Sequence, residues 1–229
     1  MPDFAPQYHR NAAQRTPCML VLDASQSMAN PAGGKGRSRI DELNDGLELL
    51  HKELLADDTA AQRVQMAIVI VGGQSGDARL LMDWTDAAQF RAPKLATGGN
   101  TPLGKGMQLA LEHVNRQKRV LQNHGIGYTR PWIIVMSDGE PTDAAEWVVA
   151  VQGCRTAETA RSCVIYPIGV GDVNLTTLQQ LSSERARGLS EARFREYFQW
   201  LSSSLASVSR SRPQDEVQLA ARDPWELVK

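Results

Sequence analysis

"CMLVLDASQSMAN", residues 18–30, contains an apolar run that stops at a carboxylate and is followed by two hydroxyls. Residues 19–22 have the pattern of a buried strand, Asp23 ends it, and Ser25 and Ser27 follow in a loop. Aspartate and serine are common in turns, so one interpretation is turn chemistry alone. The other interpretation is a hard-cation site, built from oxygens at the end of a strand.

Strands and helices alternate along the sequence around this stretch. The predicted strands cover residues 18–23, 64–72, 78–84, 131–138 and 162–171. The predicted helices cover residues 40–55, 102–122, 174–182 and 191–208. A further helix starts at Asp143 and is expected to be interrupted or ended at Gly153. This order predicts an α/β, Rossmann-like fold with a mostly parallel central sheet and helices on both faces. Residues 78–84 are expected to form one antiparallel edge strand.

Oxygen-bearing side chains lie at the predicted carboxyl ends of the central strands. Asp23 and Asp138 each end a strand, and Thr101 lies in the loop "GGNTPLG", which opens a helix. Ligands of open parallel sheets bind beyond the carboxyl ends of the strands, so these loops are expected to meet. Mg²⁺ prefers near-octahedral oxygen coordination and retains several waters. The hydroxyls of Ser25, Ser27 and Thr101 fit that preference, with the two carboxylates acting through water.

The composition is that of a globular protein without a strong charge bias. The 229 residues are 42% hydrophobic and 22% charged, with a net charge of −1. No basic excess indicates a nucleic acid or an anionic membrane as partner. Three cysteines without a C-x-x-C pair do not favour a disulfide framework or a zinc site. Since no secretory leader or membrane-length apolar run is visible, we expect a cytoplasmic protein.

Three motifs together resemble one known family. They are D-x-S-x-S after a buried strand, a Gly-Gly loop with Thr-Pro that opens a helix, and S-D-G-x-P-T-D after another strand. This set resembles the von Willebrand factor type A (VWA) domain with its metal-ion-dependent adhesion site, or MIDAS. Longer stretches, such as "GGNTPLGKGMQLAL" and "YTRPWIIVMSDGEPTD", resemble the bacterial TerY/YegL-like VWA proteins, which are associated with tellurium-resistance gene clusters.

The resemblance extends from about Arg15 to Arg212. It implies a VWA domain over residues 18–208, including the last helix, between an irregular lead-in of residues 1–17 and a polar tail of residues 209–229.

The resemblance also implies a role for each residue of the site. Ser25 and Ser27 would bind the metal directly, Thr101 directly or through water, and Asp23 and Asp138 through water or hydrogen bonds. The metal would be Mg²⁺, Mn²⁺ or Ca²⁺, and an acidic or phosphorylated group on a protein partner would complete its coordination. Relatives are associated with a Ser/Thr kinase and a phosphatase in stress-response signalling, which implies the class of partner.

Two features depart from the family pattern. The usual glycine between the two serines is Gln26, and we expect metal binding to survive unless the loop demands a positive φ there. The next loop looks longer than in close relatives and places Lys35, Arg37 and Arg39 near the predicted metal edge. These cations either grip an anionic partner or belong to a solvated, flexible loop.

Three functions remain open at this point. The favoured one is a non-enzymatic, metal-dependent protein-binding module. A metal-dependent phosphohydrolase of the haloacid-dehalogenase type also uses a strand-ending aspartate, but Ser25 replaces the carboxylate expected two residues later. A scaffold with a vestigial metal site is the third, and only Gln26 and the enlarged loop support it.

Overall fold

The computed structural model describes residues 12–31, 36–171, 173, 175–189, 193–212 and 219. Within them, one six-stranded sheet has the order β3-β2-β1-β4-β5-β6. The strands are β1 (Thr16–Ala24), β2 (Val64–Gly72), β3 (Arg79–Asp86), β4 (Trp132–Ser137), β5 (Val164–Val170) and β6 (Arg187–Leu189). Of these strands only β3, at one edge, runs antiparallel to its neighbour. The predicted α/β fold with an antiparallel edge strand is confirmed.

The central strand β1 is buried along its whole length. Successive side chains of a strand point to opposite faces, so β1 contributes to both cores of the protein. Leu20 and Leu22 pack into the core on one face, and Met19 and Val21 pack into the core on the other. Burial on both faces explains why the strand has a continuous apolar sequence rather than an alternating one.

Helices cover both faces of the sheet. The described residues form six α-helices, which are α1 (Arg39–Ala56), α2 (Asp58–Arg63), α3 (Leu103–Asn123), α4 (Ala144–Thr159), α5 (Leu175–Gln179) and α6 (Phe194–Arg210). The helices α1 and α6 pack against each other on one face, and α3 packs against α4 on the other. None of the helices in the described part of the chain is long and apolar enough to cross a membrane.

The helix α4 corrects one prediction. Gly153 does not end or interrupt it, because α4 continues to Thr159. A glycine inside a helix costs only about 1 kcal/mol relative to alanine, and tertiary contacts offset such a cost. Here the glycine lies against α3, since a Cβ atom at this position would approach Leu111 Cδ1 to 3.2 Å.

Two short elements were not predicted, and some bounds differ by a few residues. The strand β6 has three residues, too few to show a periodic pattern. The helix α2 fills the gap before β2, and Ala60 N donates a hydrogen bond of 2.9 Å to the Asp57 carboxylate at its start. The strand β1 begins at Thr16, and α6 continues to Arg210. Residue 174, where the helix over residues 174–182 is predicted to start, lies outside the described residues.

Candidate metal centre

Three loops meet at the carboxyl edge of the sheet. The first follows β1, the second precedes α3 and the third follows β4. Gln26 N donates to Gly99 O at 3.1 Å, which joins the first loop to the second. Thr142 N donates to Thr101 O at 2.9 Å, which joins the second loop to the third. These three sequence-distant loops therefore lie together at the carboxyl ends of β1 and β4.

The two glycines of "GGNTPLG" allow this close packing of backbones. A Cβ atom on Gly98 would lie 2.8 Å from Gly73 O, and a Cβ atom on Gly99 would lie 2.4 Å from Gly76 Cα. Gly99 also has a φ of +64°, a conformation that residues with a Cβ atom rarely adopt. Larger residues here would push the loop that carries Thr101 away from the sheet edge.

Ser25, Ser27 and Asp138 form a continuous group of oxygens. The hydroxyls of Ser25 and Ser27 lie 3.0 Å apart, and the Ser27 hydroxyl donates to Asp138 Oδ1 at 2.7 Å. Ser25 is buried and Ser27 is half-buried, so the group lies at the mouth of the loops. Tertiary structure thus brings oxygens from two distant loops into direct contact.

Asp23 is fully buried at the base of the first loop. Its Oδ1 accepts a hydrogen bond of 2.8 Å from Ser25 N, and its Oδ2 accepts one of 2.6 Å from the Ser137 hydroxyl. Burial raises the pKa of the Asp23 carboxyl, hydrogen bonds from the two serines oppose this shift, and the charge of Asp138 adds to it. Asp23 therefore orients the backbone that carries Ser25.

Thr101 reaches the same place from the second loop. It is buried, and a Cβ atom on Gly139 would lie 3.6 Å from Thr101 Oγ1. The threonine hydroxyl therefore lies beside the residue that follows Asp138. All the predicted metal ligands lie at this one edge, and side-chain hydrogen bonds link Ser25, Ser27 and Asp138 to one another.

Two residues that support the site were not among the predicted ligands. Ser137 fixes one oxygen of Asp23, and Asp143 accepts hydrogen bonds from Gly104 N at 3.0 Å and Lys105 N at 2.7 Å. Asp143 thereby caps α3 from the third loop and holds the helix that begins just after Thr101. Both residues lie within "SDGEPTD", so the motif itself was the available signal.

The three loop cations have different positions. Lys35 lies outside the described residues. Arg37 is exposed and forms an ion pair with Asp45 of α1. Arg39 is mostly buried, and its Nη1 donates to Asp138 Oδ2 at 2.6 Å. Arg39 is therefore part of the centre itself, whereas Arg37 lies on the surface of α1.

The donor chemistry of the centre fits a hard divalent cation. Hydroxyl and carboxylate oxygens are the ligands that Mg²⁺ and Mn²⁺ prefer. Ser27 Oγ lies within hydrogen-bond distance of both Ser25 Oγ and Asp138 Oδ1. In the part of the chain that the structure describes, no group of three or more His, Cys, Asp or Glu side chains is arranged to hold a metal ion. A metal at this edge would therefore rely on the serine and threonine hydroxyls.

Solved structures with the same fold come from several kinds of protein. The pilus adhesin SpaC from Lactobacillus rhamnosus GG is similar with a TM-score of 0.67 and 11% identity, over 85% of this chain and 31% of the adhesin. The tip protein Mfa5 from Porphyromonas gingivalis has a TM-score of 0.60 and 12% identity, over 87% of this chain and 98% of its vWF domain. The SpRpn10 VWA domain has a TM-score of 0.51 and 18% identity, over 77% of this chain and 87% of that domain.

These similarities concern the fold alone, since the identities are low, and this chain spans about a third of the SpaC adhesin. A comparison with curated proteins finds no match. A family model described as the von Willebrand factor type A domain matches residues 18–140, more than half of the chain. The match begins in β1 and includes all three loops up to Glu140. The chain therefore belongs to the von Willebrand factor type A domain family.

Proposed function

We propose that this protein is a non-enzymatic binding module that holds a divalent cation at the carboxyl edge of its sheet. Mg²⁺ or Mn²⁺ would be bound by Ser25, Ser27 and Thr101, with Asp23 and Asp138 acting through water or hydrogen bonds. A carboxylate or phosphoryl group on a protein partner would take a remaining coordination position. VWA domains are in general protein-interaction modules, and the proposal specifies how this one binds.

The observation that carries the proposal is the contact between the first and third loops. Ser27 Oγ lies 3.0 Å from Ser25 Oγ and 2.7 Å from Asp138 Oδ1. Turn chemistry within the first loop does not require a carboxylate from a strand 111 residues away. A cation site does require such convergence, because several oxygens must face one point.

The charge of the site favours an anionic partner. Hydroxyl ligands are neutral, so a cation held by them keeps most of its charge and attracts an oxygen anion from outside. The half-buried Ser27 and the exposed Gln26 and Glu140 surround the mouth of the site, where a partner's side chain has access.

The environment of Asp23 supports a binding role over catalysis. A phosphohydrolase of the type considered above needs its strand-ending aspartate free to attack a phosphoryl group. Both oxygens of Asp23 instead accept hydrogen bonds from Ser25 N and the Ser137 hydroxyl, and the side chain is fully buried. Ser25 also lacks the carboxylate that would supply a general acid or base.

The resemblance to TerY/YegL-like proteins extends the proposal to a setting. On that basis the protein acts in the cytoplasm, in a bacterial stress-response module of the tellurium-resistance type. Its partner would then be a Ser/Thr kinase, a phosphatase, or a protein that they modify.

Calorimetric titration with Mn²⁺ tests the metal site directly. We expect saturable binding by the wild-type protein and at least about 10-fold weaker binding by Ser27→Ala, since the variant lacks the hydroxyl shared by both loops. Ser207→Ala is the matched control, because Ser207 is a half-buried serine on α6 whose hydroxyl donates to Ser203 O within its own helix. Equal binding by the wild-type protein and Ser27→Ala contradicts the proposed ligand set.

Affinity capture from a bacterial lysate tests the bridging role. Bound proteins are identified by mass spectrometry after capture in Mg²⁺ and in EDTA. The proposal predicts partners that are recovered with Mg²⁺ and lost both in EDTA and with Ser27→Ala. Recovery of the same partners under all three conditions would show that binding does not depend on a metal.

A further inference from the structure

Arg39 occupies a position that links the enlarged loop to the metal centre. It is the first residue of α1, and its backbone N donates to Asn30 O at 3.1 Å across the two ends of the loop. Pro31 and Ser38 form an antiparallel bridge beside this contact. The loop is therefore closed at its base, and this closure fixes where the Arg39 side chain begins.

The Arg39 guanidinium engages the centre through Asp138. Its Nη1 donates to Asp138 Oδ2 at 2.6 Å and lies 3.4 Å from Ser27 O. Asp138 Oδ1 meanwhile accepts the hydrogen bond from Ser27. One oxygen of Asp138 thus contacts the Ser27 hydroxyl, and the other is paired with the Arg39 guanidinium.

Both side chains of this ion pair are shielded from water. The Arg39 side chain is 13% exposed and the Asp138 side chain is 0% exposed. Attraction between opposite charges is stronger at a shielded site than in bulk water, so this pair is not comparable to an ordinary surface ion pair. By contrast, the side chains of Arg37 and Asp45 are 58% and 61% exposed.

The Arg39 guanidinium also packs against Gly171 in the loop after β5. A Cβ atom on Gly171 would lie 2.6 Å from Arg39 Nη2 and 2.9 Å from Cζ and Nε, so a glycine leaves the room that the guanidinium fills. Among the described residues, the buried Arg39 Nε has no hydrogen-bond acceptor. Leaving a buried donor unpaired is unfavourable, so the hydrogen bond to Asp138 must hold the side chain there against that cost.

We propose that Arg39 is a tethered counter-cation of the metal centre, which competes with the divalent ion for Asp138. This inference rests on the proposed metal site. Without metal, the guanidinium balances the charge of the Asp138 carboxylate. A divalent ion entering the group must either displace the guanidinium from Asp138 or bind beside a positive charge, and both weaken metal binding. The enlarged loop therefore sets the metal affinity of this protein through its last cation.

A purely positioning role makes the opposite prediction. If Arg39 only held Asp138 in a productive orientation, its loss would weaken metal binding, since Asp138 would no longer be fixed. If the pair had no connection with the metal, its loss would leave metal affinity unchanged. The sign of the change in affinity therefore distinguishes competition from the other two roles.

Mn²⁺ titration of Arg39→Gln provides the test, with Arg39→Lys and Arg37→Gln as matched variants. Arg39→Gln removes the charge at similar length, and we expect its Mn²⁺ affinity to rise about 10-fold or more, the size expected for a lost hydrogen bond to a charged group. Arg39→Lys keeps a competing charge and should stay nearer to the wild type. Arg37→Gln removes an exposed cation from the same loop and should not change the affinity.

Thermal unfolding provides a second readout that does not depend on metal titration. Without metal, Arg39→Gln should melt below the wild type, because Asp138 loses its counter-charge. Saturating Mn²⁺ should raise the melting temperature of Arg39→Gln more than that of the wild type, since bound metal replaces the lost charge.

The outcomes separate this inference from the proposed function. Mn²⁺ binding of equal or lower affinity in Arg39→Gln overturns the competition and leaves the metal site in place. Equal tightening in Arg39→Lys and Arg39→Gln also overturns it, because charge would not be the cause. Absence of Mn²⁺ binding in both the wild type and Arg39→Gln overturns the metal site together with the inference. Mn²⁺ binding by Arg39→Gln, with none by the wild type, supports the inference most strongly.

Discussion

At the residue scale, Gln26 shows why a departure from a motif can leave a loop intact. The residue lies in a short 3₁₀ helix, Gln26–Ala29, and its side chain is exposed. Arg161 is the only non-glycine with a positive φ among the residues that the structure describes, so position 26 does not require glycine. Its contribution to the site is the backbone donor to Gly99 O, which any residue except proline supplies.

Gln26→Gly should therefore leave Mn²⁺ affinity unchanged and lower stability slightly. Glycine has more conformational freedom in the unfolded chain, so we expect the free energy of unfolding to fall by about 0.5–1 kcal/mol. Urea denaturation measures the stability and calorimetry measures the affinity. A several-fold gain in Mn²⁺ affinity in this variant would instead indicate that Gln26 impairs the site.

At the element scale, the start of α3 depends on a carboxylate from another loop. The residue before α3 is Pro102, which offers no side-chain cap, and Asp143 accepts hydrogen bonds from Gly104 N and Lys105 N instead. Thr142 N also donates to Thr101 O. The third loop thus fixes both the helix and the threonine that precedes it.

Asp143→Ala should reduce both stability and metal affinity. Loss of a helix cap costs about 1 kcal/mol, and freeing the start of α3 should loosen Thr101 and weaken Mn²⁺ binding several-fold. Urea denaturation and Mn²⁺ calorimetry measure the two effects.

Asp57→Ala is the control for this prediction. It removes the cap of α2, whose Ala60 N donates to Asp57 Oδ1, and no residue of the metal centre lies in that helix. It should lower stability by a similar amount without changing Mn²⁺ affinity. A parallel loss of affinity in Asp57→Ala would mean that Asp143 acts only through global stability.

At the scale of the whole molecule, the two cores bury all three cysteine thiols. Cys18 packs in the core beneath α1 and α6, and Cys154 and Cys163 pack in the core beneath α3 and α4. Burial raises the pKa of Cys163 to about 12 and also raises those of Cys18 and Cys154. Little thiolate is therefore present at neutral pH.

The native protein should resist thiol-specific reagents at pH 8. Because a thiolate is the reactive form and all three groups are shielded, we expect no modification by iodoacetamide within an hour and three modifications after unfolding in guanidinium. Intact-mass spectrometry counts the additions. Rapid modification of one thiol in the folded protein would reveal a local opening at that cysteine.

The fold could largely be predicted because its signals are local. The run at 64–72 coincides with β2, and the helix predicted over residues 40–55 corresponds to α1, whose preceding residue Ser38 accepts a hydrogen bond from Asp41 N. One of the errors has a local cause and the other has a tertiary cause. The strand β6 is too short to form a pattern, and Gly153 is tolerated because α4 packs closely on α3.

The sequence by itself determined which residues could form a metal site and which edge of the sheet would carry them. Hydroxyls and carboxylates follow apolar strands, and the parallel order of those strands places their ends together. Only the tertiary structure decided which oxygens touch, that Ser137 and Asp143 hold the loops, and that Arg39 rather than Arg37 reaches Asp138. These depend on distances between loops far apart in sequence, which packing sets and local patterns do not encode.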